Sequence, residues 1–150
     1  MPGISWGGFN SLQVASRKPK QLKAVITLCS SVDRYADDIH YKGGCLLGKN
    51  FSWAANMISY SSRPLDPIVA GKNWRSRWLE RLENLPLFID KWLTEQSRAA
   101  YWKHGSICEE YKSVEAAVLS IGGWHDGYRN TVAKLVKNLD APVKGVIGPW

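Results

Sequence analysis

At 150 residues the chain has the length of one domain, and 45% hydrophobic with 22% charged residues excludes a disordered polymer. Its apolar runs break within about ten residues, too short for a membrane span, and no signal-peptide pattern opens it. The net charge of +7 raises nucleic-acid binding, but the basic residues are dispersed and the densest group, Arg17-Lys18-Pro19-Lys20, reads as a solvated loop.

In chain order, the first feature is Gly3-Ile4-Ser5-Trp6-Gly7, followed by Gly8. It fits G-x-S-x-G, the turn in which a serine stands strained between a strand and a helix. An ordinary Gly/Ser turn fits the same five residues. Such an elbow needs a strand feeding into it, and Met1-Pro2 leave no room for one. Phe9, Leu12 and Ala15 recur at helical spacing, which predicts a helix over 8–16 ending before Pro19. The run 22–29 is apolar and β-branched, a buried parallel strand.

From Ser30 the pattern changes. Residues 32–48 read as an irregular connection whose acids Asp33, Asp37 and Asp38 are expected to be solvated charge, without a partner at metal-ligand spacing. Helices are predicted over 52–60, over 71–84 with Trp74, Trp78, Leu79 and Leu82 on one face, and after Pro86 with Phe88, Ile89, Trp92 and Leu93. With no convincing strand, the stretch 32–111 reads as a helical insertion, its tryptophans as core; Trp53 and Tyr35 are candidates to line a pocket. A second buried strand over 116–121 ends in Gly122-Gly123-Trp124-His125-Asp126-Gly127. Val132, Leu135, Val136 and Leu139 then mark an amphipathic helix capped by Asn130, and 144–148 begins a third strand before Pro149-Trp150. The cysteines Cys29, Cys45 and Cys108 are odd in number and lack close spacing, which fits a reducing, cytoplasmic compartment rather than a disulfide framework or zinc site.

Three features in this order, the Gly3–Gly7 turn, Gly-Gly-Trp-His-Asp-Gly at 122–127 and Gly-Pro-Trp at 148–150, resemble the CocE/NonD (cocaine esterase-like) hydrolases, relatives of the X-Pro dipeptidyl-peptidases. Tyr101-Trp102-Lys103-His104-Gly105-Ser106 looks like the stretch leading out of their helical cap. The resemblance covers essentially the whole chain. It implies an α/β class chain, a partial α/β-hydrolase core over 1–31 and 112–150 with a cap over 32–111. It also implies Ser5 as nucleophile, Asp126 as the acid of the triad, and the backbone N–H of Trp6 as one oxyanion donor.

The family histidine lies just past Gly-Pro-Trp, and His40, His104 and His125 do not match it. His40 and His104 are expected on the cap surface. His125 is expected in a pocket or packed, since neighbours at a strand end diverge and Asp126 cannot readily orient it. The expectation is therefore an internal fragment of a serine hydrolase, three strands at one edge of the sheet, with little activity alone. No cofactor or metal is expected, and the partner is a small-molecule ester or amide, or a peptide, with no nucleic acid or membrane. X-Pro dipeptidyl-peptidase or acylase action is the neighbouring alternative; a non-catalytic basic binding domain, with Asp126 as a strand-end aspartate capping a helix, is the alternative of another class.

Overall fold

The computed structural model describes residues 1–150. In chain order it forms β1 (Pro2–Ile4), α1 (Trp6–Ser16), β2 (Ala24–Leu28), β3 (Tyr41–Lys42), β4 (Cys45–Leu46), α2 (Lys49–Ser61), α3 (Pro67–Ala70) and α4 (Trp74–Glu83). Then follow α5 (Phe88–Thr94), α6 (Ala100–Lys103), β5 (Ala117–Gly123), α7 (Asn130–Asn138) and β6 (Val143–Gly148). Met1–Leu46 with Ser97–Trp150 make one compact unit, and Leu47–Gln96 a second. The compact helical unit is thus narrower than the 32–111 stretch anticipated.

The first unit is built on a parallel sheet in the order β1-β2-β5-β6. It has four strands, not three. The extra one is β1, which does feed the Ser5 turn: Ile26 donates to Met1 O at 3.0 Å, and the Ser5 N–H donates to Leu28 O at 2.9 Å. Three residues suffice because the edge of β2 supplies the pairing that Pro2 and Gly3 have no intrinsic tendency to seek.

Right-handed crossovers in the same direction across a sheet place their helices on one face. Accordingly Leu12 and Ala15 of α1 join Leu135 of α7 and Leu139 just beyond it in one core with Val25 and Val118. The alternate residues point the other way, and that face is only partly covered: Ile4, Ile26 and Val146 are exposed. The α7 helix starts at Asn130 rather than being capped by it; Arg129 stands at the N-cap with no side-chain cap bond.

Ion pairs tie residues 32–46 to Arg98 and to α7, so Asp33 and Asp37 are not solvated. Asp33 and Asp37 are both buried. Asp33 Oδ1 accepts from the N–H groups of Tyr35 (3.0 Å) and Ala36 (2.9 Å), while Arg98, returning from the helical unit, lies 3.8 Å from its Oδ2 and also pairs with Glu109. Lys134 of α7 donates to Asp37 Oδ2 at 3.0 Å, and Lys42 lies 3.3 Å from Oδ1. A short antiparallel hairpin, β3 with β4, occupies what the sequence suggests is irregular chain. Its turn is Gly43-Gly44 with φ of 58° and 83°, the left-handed pair that a two-residue hairpin needs.

Burial alone would push Asp37 up, yet the hydrogen bond and charge of Lys134, then Asn130 and Lys42, hold its carboxyl below the usual range. A depressed carboxylate stabilises the fold above its unfolded value near 3.9 and loses that contribution as pH falls through its folded value. Lys134→Met is therefore expected to cost ~1–2 kcal/mol at pH 7, discounted because the lysine is one-third exposed. The deficit should shrink in urea melts as the pH drops below about 4. A pH-independent deficit would assign the loss to packing.

Within the second unit α2 packs on α5. Trp74 and Trp78 stack at 6.3 Å, Phe88 and Trp92 at 6.1 Å, and Trp78 Nε1 donates to Ser62 O at 2.8 Å. Trp92 is buried as expected of core, but α4 buries none of its residues. No helix is long and apolar enough to cross a membrane.

Candidate active site

Parallel strands end at a common edge, and that edge collects the candidate residues. Ser5 stands between β1 and α1 with φ 53° and ψ −119°, backbone angles that cost a non-glycine residue about 1–3 kcal/mol. It is held there from both sides, its N–H on Leu28 O and its C=O accepting from Phe9 at 3.0 Å. Trp6 is the first residue of α1, where backbone N–H groups face out of the helix end instead of into its ladder.

Asp126 sits just past the end of β5, two strands from Ser5, a separation of about 10 Å between β1 and β5 at ordinary strand spacing. The loop that carries it is fixed by its backbone: Trp124 N–H donates to Gly148 O and His125 N–H to Trp150 O, both at 3.0 Å. Trp150 also explains the paired glycines of the two motifs. A Cβ on Gly123 would lie 2.8 Å from the Trp150 carbonyl carbon, and one on Gly148 would enter the Trp150 ring. The Asp126 side chain does not cap α7. Its Oδ2 is buried and has no hydrogen-bond partner.

None of the three histidines donates to that oxygen. His40, expected at the surface, is buried with its ring 5.3 Å from that of Trp102. His104 is exposed, its carbonyl taken by Arg34 at 2.7 Å. His125, expected in a pocket or packed, is exposed too. Tyr35 stacks on Tyr41 at 4.8 Å. Two further titratable groups are Tyr128, which feels the charge of Asp126, and Asp38, which acts on Tyr128 in turn. Burial pushes the Asp38 carboxyl up to about 7 against the hydrogen bond from the Ile39 N–H and the charge of Arg34. Burial raises the Tyr128 phenol, and the charges of Asp38 and Asp126 raise it further.

One neighbour escapes a reading of the sequence. Cys29, the residue after β2, adopts φ 46° and donates its N–H to Ile121 O at 2.9 Å. Burial pushes its thiol up, and the neighbouring Asp126 carboxylate raises it further. Nothing in its spacing signals this, because the proximity depends on β2 lying between β1 and β5.

The family model of X-Pro dipeptidyl-peptidases (S15 family) matches residues 1–150. The chain belongs to that family of hydrolases. Among solved structures, this S15-family chain is similar to a CocE/NonD family hydrolase from Staphylococcus aureus, with 17% identity, a TM-score of 0.72 and coverage of 97% of this chain and 23% of that one. An α-amino acid ester hydrolase matches at 17% identity and TM-score 0.63, covering 100% of this chain and 28% of that one. An aminopeptidase from a marine sediment Thaumarchaeota archaeon matches at 17% and 0.55, covering 99% and 28%. No curated protein matches. These likenesses establish the fold, part of an α/β-hydrolase, and the chain spans about a quarter of the length of the structures it matches.

Proposed function

We propose that Ser5 and Asp126 are the nucleophile and acid of a serine hydrolase that cleaves esters or amides through an acyl-serine intermediate. The observation that carries this is the buried, unpartnered Oδ2 of Asp126 on the same sheet edge as the strained Ser5. A buried carboxylate oxygen without a donor is expensive, and its natural occupant beside a serine is an imidazole N–H. The imidazole takes the Ser5 proton as Oγ bonds the substrate carbonyl carbon; the N–H of Trp6 donates to the oxygen that gains the charge. Returning the proton to the leaving alcohol or amine frees it and leaves the acyl-serine, which water hydrolyses by the same route. The base lies outside His40, His104 and His125.

On this reading the 150-residue chain hydrolyses p-nitrophenyl esters poorly, and added imidazole raises its Ser5-dependent rate by about 10²-fold. The increment is taken over the Ser5→Ala variant, which removes hydrolysis by imidazole itself, and it disappears in Asp126→Asn. An imidazole increment identical in Ser5→Ala would sink the proposal. Rapid labelling of Ser5 by a fluorophosphonate without imidazole would place the base within the chain. The family match favours a second reading, release of X-Pro dipeptides from peptide N-termini. Xaa-Pro-nitroanilides run beside the esters separate the two.

A further inference from the structure

The loop that carries Asp126 is fastened unequally on its two sides. Ahead of the acid, the N–H groups of Trp124 and His125 donate to Gly148 O and Trp150 O. Past it, the backbone bonds are local turns, Arg129 N–H to Asp126 O and Thr131 N–H to Tyr128 O, which move with the loop. The chain there runs through Gly127, where a Cβ would meet nothing within 4 Å and φ is not left-handed. Packing does not demand that glycine, and its backbone freedom makes it the loosest joint of the loop. Lys42 closes the joint from outside, its Nζ donating to Gly127 O at 2.5 Å.

We propose that Lys42 is a positioning residue for Asp126: its ammonium clamps Gly127 O and holds the loop of the acid in place beside Ser5. This rests on the assignment of Asp126 as the acid. Lys42 touches neither the acid nor the nucleophile and acts through the backbone of the next residue. It is itself held. Lys42 ends β3, pairs with Cys45 across the hairpin and bridges antiparallel to Asp37, while Gly43 N–H donates to Ala36 O at 2.7 Å. Its ammonium lies 3.3 Å from Oδ1 of buried Asp37, whose Oδ2 takes Lys134 of α7 at 3.0 Å. One buried carboxylate thus holds two lysines, and Lys42 is the one that goes on to the loop. A charged donor on a carbonyl is stronger than the neutral pairs that fasten Trp124 and His125.

Amide hydrogen exchange, resolved by residue with NMR, tests the clamp in the 150-residue chain. Lys42→Met and Lys134→Met each strip Asp37 of one cation, so what differs between them is the bond to Gly127. In Lys42→Met the bonded amides of His125, Asp126 and Arg129 should exchange about fivefold faster or more, through local opening. In Lys134→Met and Lys42→Arg they should stay within about twofold of native, and the amides of β2 and β5 report the global change in each variant. Loop exchange in Lys42→Met no faster than in Lys134→Met overturns the proposal. Should Met unfold the chain, Lys42→Gln, shorter and uncharged, takes its place.

The consequence for catalysis is read from the imidazole-dependent rate. Lys42→Met should lower kcat about three- to tenfold with the ester KM unchanged, Lys42→Arg should recover it, and Lys134→Met should leave it near native. Equal losses in Lys42→Met and Lys134→Met would assign the effect to Asp37 and overturn the clamp. If Asp126→Asn removes the increment while Lys42→Met leaves it whole, the positioning role fails and the acid stands. If Asp126→Asn leaves the increment, the assignment of the acid fails, and the exchange rates still decide whether Lys42 holds the loop.

Discussion

Alanine at position 3 is expected to destroy the Ser5 turn, whereas alanine at position 7, the other end of the same pentapeptide, is expected to be tolerated. A Cβ on Gly3 would enter the carbonyl group of Gly7 and lie 2.6 Å from the nitrogen of Gly8. These are backbone atoms of the first turn of α1, and no rotamer change can move them aside. The strand and helix would have to part, at a cost of about 3 kcal/mol or more, a large share of the stability of a small domain. A Cβ on Gly7 meets nothing within 4 Å, and its φ is not left-handed. Urea melts followed by circular dichroism should therefore give a midpoint far lower for Gly3→Ala and near the native value for Gly7→Ala. Ser5→Gly completes the comparison. It relieves φ 53° and should raise stability by about 1 kcal/mol while removing the proposed nucleophile. Equal tolerance at positions 3 and 7 would mean that α1 does not sit on β1 as described.

That asymmetry marks how far sequence reasoning reaches. The pentapeptide names both glycines, and only packing tells that one is sterically forced and the other is not. Helix α1, strands β2 and β5 and helix α7 were legible because their apolar residues repeat at 3.6 or run unbroken, and these periods survive in any context. Strand β1 was not, since proline and glycine give it no strand character of its own and the edge of β2 imposes the pairing. The acids at 33 and 37 look solvated in one dimension because the cations that answer them arrive from residues 98 and 134. Ser5 and Asp126 could be nominated from motifs, each flagged by glycines that backbone or Trp150 contact demands. Cys29 could not, since its neighbour is set by strand order.

Lysine at position 26 is expected to leave the chain folded and make it more soluble, and lysine one residue earlier to unfold it. In a parallel sheet successive side chains point to opposite faces, and both faces are ordinarily covered, so strands read as continuous apolar runs. In β2 that run is Ala24-Val25-Ile26-Thr27-Leu28, and nothing in its composition distinguishes one face from the other. The structure does: Val25 is 1% exposed in the core under α1 and α7, and Ile26 is 37% exposed on the opposite face. Register carries the second face across the sheet, aligning Ile4, Leu28, Ile121 and Val146 in one row and Pro2, Ile26, Leu119 and Lys144 in the next. Lys144 already stands on it, so a charge there has a precedent within the chain. An unpaired lysine in place of Val25 would lose the burial of the valine and strand a charge among apolar side chains, costing several kcal/mol. Ile26→Lys can send its ammonium to water along the open face. An apolar row of this kind binds hydrophobic dye and drives association, so the native chain should enhance ANS fluorescence and sediment partly as aggregates. Ile26→Lys should reduce both with its melting temperature within a few degrees of native, and Val25→Lys should give no cooperative melt. If the two substitutions were equally damaging, the second face would be packed as closely as the first, and one layer of helices could not account for the sheet.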